Sequence, residues 1–513
     1  MTNGTKRPLA LIILDGWGIS SRKDGNAIAL AHTPFYDEIS ANYPKTSLSA
    51  SGTSVGLPAD ATGNAEIGHM SIGAGRIVRT DVSRIEQAVE SGLFFENEVL
   101  KTAFAESKAN KSSVHLIGLL SDGGVHSSTE NLFGLLRMAK REGVSDVFVH
   151  CILDGRDVQP RTADIYAEAL EIKMADIGIG RIASLCGRFF AMDSSENWER
   201  TARAFTMLVH AEGERSADAA SAIRASFLRG IADEFIAPIV IESEPGIPAA
   251  TVKDGDVVIF FNHRADSMKQ LARSLSVAGD SANLKVSTVC LTEYDHSFDL
   301  PVAFPPESEI NTLGQLLADS GIPNYRIAED DRIAHVTHFF NGAADGASQY
   351  EQSIHVPSTA ATREAEPEMK SFKVTDMFLR AVEADAHGVF IVNLPASDLV
   401  AESGSLEKTI ESVQFVDTCL GAIVEKIRNE NGVAVITSSH GNCEEMLSGR
   451  GTTGNSVPFH LIAECVDGMA LRENGSLQDI APTILGIMGI EKPAEMTGSD
   501  LRFLGTGFGK RSA

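Results

Sequence analysis

The stretch TGNAEIGHMSIGAGR, Thr62 to Arg76, has the composition of a loop that brings backbone close to a ligand. Its glycines leave no Cβ in the way and tolerate positive φ, so such a loop displays amide N–H groups or one reactive side chain. At its apex, Gly63-Asn64-Ala65-Glu66, the displayed side chain is the methyl group of Ala65. The sequence therefore predicts a loop shaped to display a nucleophile but without the nucleophile.

Polar side chains that could bind a ligand follow several short apolar runs. These runs are PLALIILDGWG (8–18), SVHLIGLLSDGG (113–124), DVFVHCILDGRD (146–157), DVVIFFNHRAD (256–266), GVFIVNLPASD (388–398) and GVAVITSSHGN (432–442). The polar side chains at or just past their ends are Asp15, Asp122, His126, Asp154, Arg156, Asp157, Arg264, Asp398 and His440. Because ligands bind beyond the carboxyl ends of parallel strands, we expect a binding site there. Ordinary solvation of loops is the alternative.

The elements that must position these residues alternate between strands and helices. The apolar runs have the length of buried strands, and amphipathic helices lie between many of them. One such helix has apolar residues at intervals of three and four: Ile410, Val413, Val416, Leu420, Ile423, Val424 and Ile427. This alternation predicts parallel sheets covered on both faces. A chain of 513 residues predicts two or more domains. The proline-rich, acidic segment 291–309 has the composition of a linker between them.

Composition limits the class of partner. The net charge of −25 disfavours nucleic acid and anionic membranes, so an anionic small ligand must be held by local groups. None of the six cysteines forms a CxxC pair, which predicts reduced thiols in a cytoplasm. The N-terminal apolar run is too short for a signal or a membrane span. We therefore expect a cytoplasmic protein.

Nine motifs follow one another along the chain: LIILDGWG, GNAEIGH, IGAGR, SDGGVHS, LDGRDVQP, GRFFAMD, FNHRAD, AHVTHFFNG and SHGN. In this order they resemble the cofactor-independent (2,3-bisphosphoglycerate-independent) phosphoglycerate mutases of the alkaline phosphatase superfamily, over nearly the whole chain. The resemblance implies an α/β fold with a discontinuous, alkaline-phosphatase-like parallel-sheet domain (residues 1–80 and 310–513). A second α/β domain, for substrate binding, is inserted at residues 84–305. The implied reaction is an isomerisation of phosphoglycerate through a phosphoserine, assisted by two metal ions, usually Mn²⁺.

The resemblance implies seven nucleophile and metal-ligand positions, of which three keep their residue type. The three are Asp15, Asp398 and His440. The nucleophilic serine falls on Ala65, while Glu402, Ser439 and Gly451 stand where a histidine, an aspartate and a histidine are implied. The residual pairs are Asp15 with His440 and Asp398 with Glu402, whose oxygens would suit Mn²⁺ or Mg²⁺. Two protein ligands hold an ion weakly, so ordinary hydrogen bonds and salt bridges are the alternative.

The substrate side keeps more of the implied residues. Positions implied to contact glycerate or phosphate are His126, Arg156, Asp157, Arg188 and Arg264, with Arg332 in place of a lysine. Two further arginines of that set appear as Ser194 and Ser267. Guanidinium groups match carboxylate and phosphate oxygens, which favours a retained anion site. Salt bridging between domains is the alternative.

These observations lead to one leading hypothesis and two alternatives. The leading hypothesis is a divergent relative that has lost the phosphoserine mechanism and binds or acts on a small phosphorylated or phosphonylated carboxylic acid. Its role would be repurposed, for example in a specialised biosynthetic pathway. The alternatives are an active Mn²⁺-dependent mutase of glycolysis with an unorthodox site, and a non-catalytic binding or regulatory pseudoenzyme. Whether the chain is an enzyme stays open at this point. We expect a monomer without an organic cofactor.

Overall fold

A computed structural model describes residues 7–276, 284–307, 309–344, 349–358, 365–448, 451–464 and 469–502. Contacts divide the chain into two compact units. Unit 1 comprises Met1–Thr80 and Glu307–Ala513, and unit 2 comprises Asp81–Pro306. Unit 1 is thus built from both ends of the chain and unit 2 from its middle. The predicted α/β class, with one discontinuous and one inserted domain, is confirmed.

The strands are short and most are buried. In chain order they are β1 (Leu9–Ile13), β2 (Lys45–Ser49), β3 (Val114–Leu120), β4 (Val147–Leu153), β5 (Arg181–Gly187), β6 (Glu214–Ser216), β7 (Ile239–Glu244), β8 (Ile247–Pro248), β9 (Val257–Phe260), β10 (Ser287–Thr292), β11 (Val302–Phe304), β12 (Asn324–Glu329), β13 (Glu351–Val356), β14 (Val389–Asn393), β15 (Val433–Thr437), β16 (Val457–Ile462) and β17 (Gly475–Ser476).

The helices mostly connect these strands. In chain order they are α1 (Ala27–Leu30), α2 (Pro34–Asn42), α3 (Ala65–Ala74), α4 (Asp81–Ser91), α5 (Glu98–Asn110), α6 (Thr129–Glu142), α7 (Ala163–Ile177), α8 (Arg188–Ala191), α9 (Trp198–His210), α10 (Ala219–Leu228), α11 (Lys269–Ser276), α12 (Leu313–Asp319), α13 (Ser371–Ala384), α14 (Ala396–Ala401), α15 (Leu406–Asn429) and α16 (Ile480–Met488). Among the described residues, no helix combines the length and apolar character that a membrane span requires.

The sheet of unit 1 has the strand order β13-β12-β14-β1-β15-β16-β2-β17. Strands β13 to β15 in this order pair in parallel, whereas β16 is antiparallel to both of its neighbours. Every residue of β1, β14 and β15 is buried, because apolar clusters cover both faces of the sheet. The predicted apolar face over 410–427 lies on α15, which packs into one of these clusters.

The sheet of unit 2 has the order β11-β10-β9-β3-β4-β5-β7-β6, with β8 paired to β7. The strands from β11 to β5 in this order are parallel. Parallel pairing places the carboxyl ends of β9, β3, β4 and β5 side by side at one edge of the sheet. The loops that follow these four strands carry the arginines and the histidine predicted to contact substrate.

Glu329, the last residue of β12, has a fully buried carboxyl group. One oxygen accepts the backbone N–H of Lys370 at 3.0 Å, and the other oxygen has no hydrogen-bond partner. Burial raises the pKa of Glu329 to about 7, and the nearby Asp331 and Asp330 add to this effect, while Lys370 opposes it. Glu329 therefore takes up a proton near neutral pH.

We expect Glu329→Gln to remove part of the pH dependence of stability. A carboxyl group with a folded-state pKa near 7, above its ordinary value of 4.5, stabilises the fold in acid. That contribution is lost as the pH rises through the interval between the two values. The wild type loses stability between about pH 4.5 and about pH 7 relative to the variant. Thermal melts across this range measure the difference.

Glu425→Gln is the matched control, because Glu425 is an exposed residue of α15 in the same unit. We expect its melting temperature to follow the wild-type pH profile. An unchanged profile for Glu329→Gln would contradict the assignment of the proton to this carboxyl group.

Candidate functional site

Polar groups gather at the carboxyl ends of β12, β14, β1 and β15, which are neighbours in unit 1. Asp15 lies just past β1, and Asp398 lies on α14 after β14. His440 follows β15, and Arg332 follows β12 through a short helical turn. This is the edge at which parallel α/β sheets bind ligands. The fold thus brings together side chains that lie up to 425 positions apart in the sequence.

Asp15 is fully buried and accepts from three side chains. His69 Nε2 lies 3.1 Å from Oδ1, and Asn393 Nδ2 donates to Oδ2 at 2.9 Å. The hydroxyl of Ser439 donates to Oδ1. Although burial acts to raise it, the proximity of His69 and Arg332 holds the pKa of Asp15 far below its ordinary value. The carboxyl group is therefore ionised.

Asp398 is the second buried carboxylate of this cluster. Its Oδ2 accepts from Arg332 at 2.7 Å, and its Oδ1 lies 3.0 Å from His440 Nε2. Although burial acts to raise it, His440 and Arg332 lower the pKa of Asp398. Conversely, burial acts to lower the pKa of His440, but the Asp398 carboxylate raises it above its ordinary value. The other ring nitrogen, Nδ1, lies 2.9 Å from Ser439 Oγ.

The contacts pair these residues differently from the sequence-based interpretation. His440 contacts Asp398, and Asp15 is held instead by His69, Asn393 and Ser439. The side chain of Glu402 is 48% exposed, and one of its oxygens lies 3.9 Å from Arg332. Arg332, expected beside a substrate phosphate, contacts the carboxylates themselves.

The donor groups at this edge do not fit the implied two-metal centre. Ala65 and Gly451 offer no side-chain ligand, and the Ser439 hydroxyl is engaged with Asp15. Both carboxylates are already neutralised by neighbouring side chains. Within the described residues, no three His, Cys, Asp or Glu side chains are grouped so that they could hold a metal ion.

Ala65 is the first residue of α3, and its side chain is buried. Asn64 caps the helix by accepting the N–H of Ile67 at 3.0 Å. The flanking glycines are required by close packing: a Cβ at Gly63 would lie 2.1 Å from the carbonyl oxygen of Ala50, and one at Gly68 would lie 2.3 Å from that of Ser439. The loop keeps its shape for packing reasons that do not depend on a nucleophile.

Sequence reasoning missed several members of the cluster: His69, Ser439 as a hydrogen-bonding residue, Asn393 and His335. His69 lies four residues after Ala65 on α3, a spacing that places both on one helix face and could have identified it. His335 Nε2 accepts from Arg332 Nη1 at 3.1 Å, in keeping with a pKa lowered to about 3 by burial and by His69 and Arg332. Asn393 had no such signal, because only strand pairing brings it to Asp15.

In unit 2, Arg188 is held in place by two buried or largely buried carboxylates. Its Nη1 lies 2.5 Å from Asp154 and 2.9 Å from Asp157. Asp154 also accepts from Ser121 Oγ at 2.6 Å and from the N–H groups of Arg156 and Asp157. Against the effect of burial, these hydrogen bonds keep the pKa of Asp154 below its ordinary value. Arg188 and Asp157 therefore form a rigid base for this edge of the sheet.

Two arginines on the same edge remain accessible. The side chains of Arg156 and Arg264 are 66% and 52% exposed. Their acidic neighbours, Glu234 at 3.9 Å and Asp266 at 3.0 Å, form surface ion pairs, which water and competing anions weaken. The geometry thus leaves both guanidinium groups able to bind an oxyanion.

His126 lies among these charged groups and contacts Ser267, whose Oγ is 3.1 Å from Nδ1. Burial and the charge of Arg188 lower the pKa of His126, although Asp157 and Asp266 oppose this. The ring is therefore neutral at pH 7 and can both donate and accept a hydrogen bond. Ser267 is the position at which the resemblance implies an arginine.

Comparisons with known proteins identify the family. Residues 85–296 match the family model described as BPG-independent PGAM N-terminus. The chain is 45% identical to the 2,3-bisphosphoglycerate-independent phosphoglycerate mutase of Desulforudis audaxviator, over 96% of this chain and 99% of that protein. It is 43% identical to the same-named protein of Moorella thermoacetica, over 98% of this chain and 99% of that one.

A solved structure is also similar over nearly the whole length. It is the crystal structure of Leishmania mexicana phosphoglycerate mutase at low cobalt concentration, with a TM-score of 0.73 and 28% identity. The match covers 98% of this chain and 99% of that one. Because identity is high and coverage nearly complete, this chain belongs to the family of 2,3-bisphosphoglycerate-independent phosphoglycerate mutases.

Proposed function

We propose that this member of the family has lost the phosphoserine mechanism and binds a small phosphorylated or phosphonylated carboxylic acid in a repurposed role. The observation that carries the proposal is the pairing of Asp15 and Asp398 with neighbouring side chains, next to an alanine at the nucleophile position. A mechanism through a phosphoserine needs an attacking hydroxyl and a means of activating it. Ala65 supplies no hydroxyl, and the surrounding donors do not fit activating metals.

The retained arginines of unit 2 support a ligand rather than a purely structural role. Arg156 and Arg264 are more than half exposed, and Arg188, which follows a strand of the same sheet, is held by Asp154 and Asp157. Forked guanidinium groups bind phosphoryl and carboxylate oxygens in pairs. Since Ser194 and Ser267 replace two arginines of the implied set, a ligand with fewer anionic contacts than phosphoglycerate is favoured.

Ser439 favours a second candidate function, a working transferase with a substitute nucleophile. Its hydroxyl donates to Asp15, the kind of contact by which an acceptor activates a serine, and its Oγ also lies 2.9 Å from His440 Nδ1. The hydroxyl is, however, completely buried, and Asp15 and His440 are themselves engaged. The proposal of a lost phosphoserine mechanism is therefore preferred, and the two can be separated by experiment.

We expect no conversion of 3-phosphoglycerate to 2-phosphoglycerate, measured by coupling to enolase with added Mn²⁺. Removing a covalent nucleophile costs on the order of 10⁶ in rate in a serine hydrolase. Ala65→Ser is expected to be equally inactive, because a restored hydroxyl would still have no activating metal beside it.

Ser439→Ala distinguishes the alternatives in the same assay. Turnover by the wild type that is abolished in Ser439→Ala would establish the second candidate and contradict the proposal. Turnover that survives in Ser439→Ala at the same rate would be assigned to a contaminating mutase, which expression in a mutase-deficient host removes.

The anion site of unit 2 predicts that Arg264→Ala weakens binding of 3-phosphoglycerate, used as the probe in titration calorimetry. Hydrogen bonds to charged groups contribute about 1.5–3 kcal/mol, so the Kd is expected to rise about 10-fold to 100-fold. Arg229→Ala is the matched control, because Arg229 is another exposed arginine of unit 2, paired with Glu214 at 2.9 Å. Equal affinities for the two variants would contradict the assignment of Arg264 to the ligand.

A further inference from the structure

We propose that Arg332 is a resident cation that takes the place of a bound metal between the two buried carboxylates of unit 1. On this proposal, unit 1 is complete without a divalent ion. The inference concerns the charge balance of unit 1 alone and does not depend on which acid unit 2 binds. It goes beyond the loss of a nucleophile, because it states what now fills the electrostatic role of the metals.

The guanidinium group of Arg332 contacts both carboxylates that the family resemblance assigns to metal. Its Nη2 donates to Asp398 Oδ2 at 2.7 Å, and its Nε lies 4.0 Å from Asp15 Oδ2. Nη2 also lies 3.9 Å from the carboxylate of Glu402, which occupies a third metal-ligand position. One side chain therefore lies within 4.0 Å of acidic oxygens at three former ligand positions.

A positive charge at this place is a physical requirement. The side chains of Asp15 and Asp398 are 0% and 2% exposed, and a buried carboxylate without a partner is strongly destabilising. A divalent ion or a side-chain cation can meet the requirement. Arginine is the side chain suited to it, because its guanidinium group stays protonated in proteins and offers several donors in a fixed plane.

The position of the guanidinium group is fixed from two directions. The backbone turn Asp330–Arg332 directly follows β12, which is hydrogen-bonded to β14 in the centre of the sheet. From the other side, His335 Nε2 accepts from Nη1 at 3.1 Å. Only 11% of the Arg332 side chain is exposed. A side chain held in this way behaves as part of the core and not as a mobile surface group.

The test measures metal content and thermal stability of the full-length protein. We expect the wild type to purify without stoichiometric divalent metal, and EDTA or Mn²⁺ to shift its melting temperature by less than about 1 °C. We expect Arg332→Ala to melt several degrees lower, because two buried carboxylates lose their shared cation. Millimolar Mn²⁺ is expected to recover part of this loss, since a divalent ion can then enter. Arg332→Lys keeps a cation and is expected to lie between the two.

Arg380→Ala is the matched control, because Arg380 is an arginine of unit 1 with a 67% exposed side chain paired to Asp376. Its melting temperature and its lack of response to Mn²⁺ are expected to match the wild type. Stoichiometric metal in the wild type, or destabilisation of the wild type by EDTA, would overturn the proposal. An equal rise in melting temperature on adding Mn²⁺ to the wild type and to Arg332→Ala would also overturn it. If Arg332→Ala does not fold, the wild-type and Arg332→Lys measurements still decide the question.

Discussion

The negative charge of two buried carboxylates in unit 1 must be compensated by neighbouring groups, and this requirement determines how the surrounding side chains are arranged. Asp15 lies just past β1, and Asp398 lies on α14, which follows the adjacent strand β14; both side chains are buried. Their charge must be balanced within the protein, because an uncompensated buried charge opposes folding. Arg332 and His440 provide the balance, and His69, Asn393 and Ser439 supply further hydrogen bonds. Catalytic chemistry is not needed to explain why these groups persist.

The loop around Ala65 is held in shape by packing that does not involve the side chain at position 65. Gly63 and Gly68 leave room for the carbonyl oxygens of Ala50 and Ser439, so side chains at either position would clash with backbone. Asn64 caps α3 whether or not the next residue carries a hydroxyl. The loop is therefore maintained by sterics and capping.

In unit 2, one arginine is buried and tightly paired, and two others are exposed to solvent. Arg188 is paired at short distance with Asp154 and Asp157. Arg156 and Arg264 extend from the adjacent loops with weaker partners. Arg188 is preorganised by its two carboxylate partners, whereas Arg156 and Arg264 give up side-chain freedom when they bind an oxyanion. This division of roles is the physical basis of the proposed ligand site.

The discontinuous arrangement followed from the family resemblance. From its own pattern of residues, the sequence predicted the α/β class and the set of strand-end residues. It could do so because buried parallel strands are continuous apolar runs whose polar loops follow at once, as in 8–18 and 432–442. It also identified the missing hydroxyl at Ala65. Which side chains contact the two buried carboxylates could be read only from the three-dimensional structure. His440 contacts Asp398 and not Asp15, and Arg332 contacts carboxylates, because strand order and turn geometry set distances that spacing along the chain does not contain.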